Sequence, residues 1–352
     1  MTAAERTVPA GPPAPGAAGG GRRPSVLVPY IYLSSFVNRD IETLRERYDV
    51  VLMPCVPTIR IAQAIAAMRR VDWLFCWFGS IRFLPLVLLA RALGKPVIVV
   101  VGGYDVANLP ELHYGNMRPG LTRVLTRALL RRADAIACVS QSTMAQTREA
   151  ISLPPGRLRL IYHGFEFDTT DARAWLGDKE RIALTVGHCD EMTLQRKGLL
   201  AVAQVSRLLP DVRFVIAGDG HSAAMAKLRE AAGPNVSFVG YVKYQALRTY
   251  YQRAKIYLQP SLHESFGCSV AEAMLFNCIP VVTNRYALPE VVGDTGYYVE
   301  PGDLPGLAAR IREALAAPPP GGETPRMRVM REFPAGRRRD ALLQLAEEIV
   351  HA

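Results

Sequence analysis

Two carboxylates, Glu264 and Glu272, stand in one segment, His263–Thr283 (HESFGCSVAEAMLFNCIPVVT). A strand-like run, Lys255–Pro260, enters it, and an apolar strand, Ile279–Thr283, leaves it. Between the two a helix is expected to begin near Phe266 or Gly267. Glu264 then precedes the helix and Glu272 lies inside it. A helix N-terminus offers unpaired N–H groups and the positive end of its dipole, a natural seat for phosphate. A carboxylate accepts two hydrogen bonds from a vicinal diol. Phosphate and diols together describe a nucleotide sugar. The structural alternative starts the helix one turn later, with Ser269 and Glu272 as a capping box and Glu264 as a solvated loop charge.

A second cluster lies in Leu184–Leu200 (LTVGHCDEMTLQRKGLL). A strand is expected to end at Val186, Gly187 permits close backbone approach, and Arg196-Lys197-Gly198 is expected to open a helix. A cation at a helix start is unfavourably placed beside the positive dipole end, so a bound anion would explain Lys197; a merely exposed lysine is the alternative. Gly218-Asp219-Gly220 and Gly240-Tyr241-Val242 end the next two expected strands.

The Glu264/Glu272 pair in its strand–loop–helix–strand setting resembles the Glu-x7-Glu signature of the retaining family 4 glycosyltransferases, which have the two-domain GT-B fold. The resemblance runs from about Ser25 to Val350 and is strongest over Leu184–Asp303. It implies that Glu264 contacts the donor sugar, Glu272 the ribose, and the backbone of Ser265, Phe266 and Gly267 the diphosphate. Lys197 and Gly198 match the family's diphosphate-binding Lys-Gly. The family's usual first arginine is replaced by His188, and Arg196 is the candidate substitute. Gly187 and Gly218 match strand-end glycines of the donor site, and Tyr241 and Val242 match the loop that cradles the base, ordinary strand-end packing being the alternative. Gly293–Gly296 and Pro301–Asp303 match structural turns. In the first half, Gly102-Gly103-Tyr104-Asp105 stands where the family often has His-Gly-x-Asp. Gly103 and Asp105 match, so Asp105 is a candidate contact to donor sugar or acceptor, while Gly102 replaces the histidine. His113, Ser140, His163 and Gly164 are further candidates for the acceptor side. Tyr30–Asn38 stands where many relatives have a glycine-rich loop.

These residues need strands to hold them. Apolar runs of strand length alternate with helical patterns along the whole chain, which predicts parallel α/β architecture. First-half strands are expected at Ser25–Pro29, Asp49–Pro54, Asp72–Phe78, Pro96–Val101, Ala135–Val139 and Leu158–Tyr162, with helices including Ile41–Arg47, Ile59–Arg70 and Ile81–Leu93. The second half restarts at Arg181–Val186, Arg213–Ala217, Val236–Val239, Lys255–Gln259 and Ile279–Thr283, then a helix at Leu304–Ala316. Composition marks a disordered tail over 1–24 and a polar linker over 166–180, and the resemblance implies an acceptor-binding domain over 25–165 and a nucleotide-sugar domain over 181–317. A Pro/Gly break and a C-terminal helix, Asp340–Val350, complete the chain over 318–352, and the resemblance implies that this helix crosses back to the first domain. Doubly wound sheets bind ligands beyond the C-terminal ends of their strands, so two facing domains make a cleft.

The chain has 352 residues and formal net charge +10, and residues 1–165 hold all of that excess, with 20 Lys and Arg against 10 Asp and Glu. An anionic or lipid-linked acceptor suits this surface, general solubility being the alternative. Arg123, Arg127 and Arg131 recur every four residues beside Leu121, Val124, Leu125 and Leu129. This pattern fits reversible peripheral membrane contact, or else a helix with its apolar side packed inward. The six cysteines show no Cys-x-x-Cys pair and read as reduced, buried thiols. No apolar signal core stands at the start and no uncharged apolar run approaches the roughly 20 residues of a spanning helix. A cytoplasmic protein, peripheral on the inner membrane face, is expected, with no nucleic-acid partner.

The expected function is retaining transfer of a sugar from a nucleoside-diphosphate sugar to an acceptor hydroxyl, with Lys197, Glu264 and Asp105 as the catalytic set. Lys197, Arg196 and the helix amides near Phe266 would stabilise the leaving diphosphate. No Asp-x-Asp occurs, so no metal and no cofactor are expected. Two rivals stay open: a nucleotide-sugar epimerase on the same fold, and a non-catalytic nucleotide-sugar-binding protein. Neither half carries G-x-G-x-x-G after its first strand, which counts against a dinucleotide-dependent oxidoreductase.

Overall fold

The structure, a computed structural model, describes residues 22–56, 61–167 and 179–351. Residues 1–21 of the expected tail, the start of the Ile59–Arg70 helix and residues 168–178 of the expected linker lie outside the described residues.

Among the described residues, twelve strands form two six-stranded parallel sheets. The first holds β1 (Ser25–Tyr30), β2 (Asp49–Pro54), β3 (Trp73–Trp77), β4 (Val97–Val101), β5 (Ala135–Cys138) and β6 (Leu158–Leu160) in the order β2-β1-β3-β4-β5-β6. The second holds β7 (Glu180–Val186), β8 (Arg213–Ala217), β9 (Val236–Gly240), β10 (Ala254–Gln259), β11 (Ile279–Thr283) and β12 (Tyr297–Val299) in the order β12-β11-β10-β7-β8-β9. Parallel strands covered by helices on both faces read as unbroken apolar runs. β3 (WLFCW) and β4 (VIVVV) are such runs and are buried throughout.

Alternation sends the side chains to two cores. Leu27, Leu74, Cys76, Val97 and Val99 pack on one face of the first sheet. Val26, Phe75, Trp77, Ile98 and Val100 pack on the other, in a core that continues through Ile161 and Phe165 to Leu184, Tyr257, Phe266 and Val282 of the second half. The halves are therefore joined by apolar packing as well as by the chain. The C-terminal helix, Ala335–Val350, returns to the first half, as expected. Its Arg338 forms a two-pronged ion pair with Asp40 (Nε–Oδ1 2.8 Å, Nη2–Oδ2 2.6 Å) and donates to the carbonyls of Ile161 and Tyr162.

Several expectations are corrected. Arg196 and Lys197 do not open a helix: they end a short one, Glu191–Arg196, with Lys197 at its C-cap. Gly198 at φ +69 then starts the next helix, Leu199–Val205. Lys197 thus meets the negative end of one dipole, where a cation is welcome. Ser269 and Glu272 form no capping box, because the helix begins at Cys268 with Gly267 as its N-cap. The first helix starts at Ser35 rather than Ile41, and the last at Ala335 rather than Asp340. β12 and a helix at Pro325–Glu332 were not anticipated; both are short and flanked by Gly and Pro, which mask periodicity. On the helix Leu121–Leu130, Leu129 belongs to the core while Leu121 and Val124 are exposed, so the apolar residues divide between two faces. All six cysteines are free and five are buried. Among the described residues no helix is long and apolar enough to cross a membrane.

Candidate functional site

The site gathers where β7, β8, β9 and β10 end. Backbone bonds run Gly187 N to Ala217 O (3.0 Å) and Gly218 N to Gly240 O (2.8 Å). A Cβ at Gly218 would lie 1.8 Å from the Gly187 carbonyl oxygen, so only glycine lets these loops close up. The Lys197 side chain passes over Gly187, its Cδ 3.2 Å from where a Cβ would stand.

Glu264 is buried in the loop after β10. Its Oε1 accepts from Gln259 Nε2 (2.9 Å) and Ser261 Oγ (3.2 Å). The same oxygen faces Arg196 Nη1 at 3.6 Å and Lys197 Nζ at 4.0 Å. Burial alone would raise the Glu264 pKa, but Lys197 and Arg196 together with the Ser261 bond outweigh it, and the carboxyl lies below its usual range. Glu272, partly exposed on the following helix, goes the other way: burial pushes it up to about 7 against the opposing pull of Arg39, Tyr251 and Lys197. Lys197 therefore acts on both carboxyls.

The loop Ser265–Gly267 is fixed by its middle residue. The Phe266 ring is buried between Phe165 (5.9 Å), His163 (5.1 Å) and Phe333 (5.1 Å). Tyr241 is 75% exposed and Val242 partly exposed, at the rim beyond β9.

The first half reaches across to this loop. A Cβ at Gly103 would lie 2.3 Å from Ser265 Cβ. Tyr114 lays its ring over the Arg196 guanidinium (5.0 Å) and beside His263 (5.4 Å). His263 Nε2 meets Gln146 Oε1 at 3.2 Å, and burial pushes the imidazole down to about 4, so it is neutral. Glu290 accepts from the Gln141 N–H (2.8 Å) and the Tyr162 hydroxyl (2.6 Å), a further link between the halves. Sequence reasoning singled out none of Tyr114, Gln146, His263 and Glu290. His263 stands next to Glu264 in the quoted motif, the one signal that pointed to it.

Other expected residues take structural places. Asp105 is buried, with Oδ2 accepting from Gly102 N at 2.8 Å, and burial raises it to about 6 against the backbone amides around it. It holds the loop after β4 in shape. Ser140 caps the helix Gln141–Ala150 in a reciprocal bond pair with Thr143. His163 stacks on Trp77 at 5.9 Å, and the Gly164 carbonyl accepts from Arg39 at 2.7 Å. His113 is exposed at φ +49, and His188 is also exposed.

Carboxylate, two cations and helix amides at adjacent strand ends can bind a diphosphate and orient a hydroxylated ring. Comparison with known proteins points the same way. Residues 167–329 match the family described as Glycosyl transferases group 1, and residues 46–169 match Glycosyltransferase Family 4. The chain is 36% identical over 80 residues to the O-antigen chain mannosyltransferase B of Escherichia coli, covering 23% of this chain and 21% of that protein. It is 25% identical to the alpha-D-kanosaminyltransferase of Streptomyces kanamyceticus, over 68% of this chain and 66% of that one. It is 26% identical to the GDP-mannose-dependent monoacylated alpha-(1-6)-phosphatidylinositol monomannoside mannosyltransferase of Corynebacterium glutamicum, over 77% and 76%. The chain thus spans about a fifth of the first of these relatives and just under two thirds of the second. Among solved structures, sucrose-phosphate synthase from Thermosynechococcus elongatus superposes with TM-score 0.73 at 18% identity, covering 94% of this chain and 100% of that one. Anabaena HepE in complex with UDP and glucose gives TM-score 0.73 at 15% identity, over 92% and 99%. The fold is GT-B.

Proposed function

The chain belongs to the group 1 and family 4 glycosyltransferases, and from that membership we propose that it transfers a sugar, with retention, from a nucleoside-diphosphate sugar to an acceptor hydroxyl. The observation that carries this reading is the meeting of Arg196, Lys197 and Glu264 beside the N-terminus of the helix Cys268–Leu275. Lys197, Arg196 and the amides of Ser265–Gly267 would hold the diphosphate, Glu264 would orient the sugar, and Glu272 would accept from the ribose diol. The named contacts of Glu264 fall on Oε1, which leaves Oε2 to the sugar hydroxyls.

In the reaction, the acceptor oxygen bonds to the anomeric carbon on the face the diphosphate leaves. The carbon–oxygen bond to the phosphate breaks, and the departing phosphate oxygen takes the acceptor proton. The cations stabilise charge that grows as that bond breaks, which accelerates the step. Asp105 serves by shaping the loop that meets Ser265. Transfer needs neither metal nor cofactor in this reading, since the cations already neutralise the diphosphate.

The acceptor is anionic or membrane-borne, met by the basic first half through reversible contact of the helix Leu121–Leu130 with an anionic bilayer. Exposed Leu121 and Val124 support this, with exposed Ile81 and Leu88 on the adjoining elements. The function is tested by thermal stabilisation with UDP-, GDP- and TDP-sugars in EDTA. One or more should raise the melting temperature without metal. No stabilisation by any of them, or stabilisation that needs added magnesium or manganese, would contradict the donor assignment or its metal independence.

A further inference from the structure

The first half carries a set of rings at the cleft that donor chemistry leaves unused. Phe78 follows β3 with φ +75, a region in which a bulky residue is strained and persists only when its surroundings demand it. Its ring fills the space a side chain at 102 would need: a Cβ on Gly102 would stand 2.4 Å from Phe78 Cε1. Glycine at 102 and the strained backbone at 78 are both conditions for placing this ring. The next residue, Gly103, abuts Ser265 of the donor loop. Phe78 leans on Trp77 (5.3 Å), meets Phe36 edge-on (6.2 Å) and lies 5.9 Å from Tyr32, tilted by 33°. Trp77 is buried, Phe78 is half-buried, and Tyr32 is 59% exposed, so the shelf is open on the Tyr32 side. The same segment holds Ser34, whose buried Oγ has no hydrogen-bond partner.

We propose that Phe78 and Tyr32 form the acceptor platform, and that the acceptor presents a pyranose ring with its C–H face on Phe78. This rests on the glycosyltransferase reading and adds the acceptor's class. A pyranose has an apolar C–H face and a hydroxyl rim, which match an aromatic face beside the hydroxyl of the exposed Tyr32.

Saturation-transfer NMR with methyl α-D-mannopyranoside and methyl α-D-glucopyranoside, in the presence of UDP or GDP, tests the platform. Ring C–H protons of at least one glycoside should receive saturation from the wild-type protein. Phe78→Gly relieves the backbone while deleting the ring, and should weaken glycoside binding about tenfold. Phe78→Tyr should bind within about threefold of wild type, since the face is kept. Gly102→Ala should displace the ring and act like Phe78→Gly, and decides the matter if that variant does not fold. Calorimetric nucleotide affinity reports the donor site separately. Glycoside binding unchanged by ring deletion or displacement, or no glycoside bound while nucleotide is bound, would overturn the platform alone. Failure of the wild type to bind any nucleotide would overturn the donor reading and this one with it.

Discussion

Lys197 and Glu264 carry most of the chemistry proposed here, and each has a distinct signature. Replacing Lys197 with Ala removes the cation facing both carboxyls and the proposed diphosphate. Steady-state kinetics should show transfer slowed about a hundredfold, a few kcal/mol of lost charge stabilisation. Wild-type turnover in that variant would exclude the assignment. Glu272 titrates at about 7 because burial disfavours its charge. Its folded pKa lies above the unfolded one, so its stabilising contribution is complete below about pH 4.5 and is lost as pH rises through 7. Glu272→Gln should therefore be more stable than wild type at pH 8, by about 1–3 kcal/mol in urea unfolding, and no more stable at pH 4.5. Equal gaps at both pH values would contradict this. Both glutamates, Lys197 and the strand-end glycines were legible in the sequence because their spacing sits on local strand–loop–helix units. Tyr114, Gln146 and Glu290 were not, since their partners lie on the other half and no local pattern announces them.

The elements were read well where hydrophobicity was continuous. Each of the twelve strands except β12 stands within a few residues of its expected place. Boundaries failed where a single residue decides them: Gly198 splits one expected helix start into two short helices, and Pro334 caps the last helix so that it begins at Ala335 rather than at Asp340. On the helix Leu121–Leu130 composition misled, because Leu129 packs inward while Leu121 and Val124 face out. In the proposed membrane contact that exposed pair would supply the apolar part, and each arginine reaching an anionic surface would add about 1 kcal/mol. Co-sedimentation at low salt should recover more protein with anionic than with neutral vesicles. Leu121→Gln with Val124→Gln and Arg131→Gln should abolish the difference. Equal recovery on both vesicle types would rule this helix out as the contact.

At the scale of the molecule, the C-terminal helix holds the first half through Arg338, buried with Asp40 and lying over the Trp77 ring at 5.5 Å. Trp77 also donates to Asp40 at 2.8 Å and stacks on His163, which touches Phe266 of the loop Ser265–Gly267. Removing one charge strands the other in the core, so Arg338→Met should cost about 3–5 kcal/mol of unfolding free energy, only partly recovered in Asp40→Leu/Arg338→Met, which leaves the Trp77 N–H and the Ile161 and Tyr162 carbonyls without these partners. The two-sheet plan followed from alternating apolar runs and the returning helix from the family resemblance, whereas the closure of the halves through Phe266, His163 and Trp77 depends on contacts between distant segments. The central claim is that the nucleotide end of the donor sits on the second sheet. Amide hydrogen exchange with and without UDP or GDP tests it most directly. Protection should appear in peptides covering Gly187–Gly198 and Leu262–Glu272. Protection confined to residues 25–165, or none with either nucleotide, would contradict it.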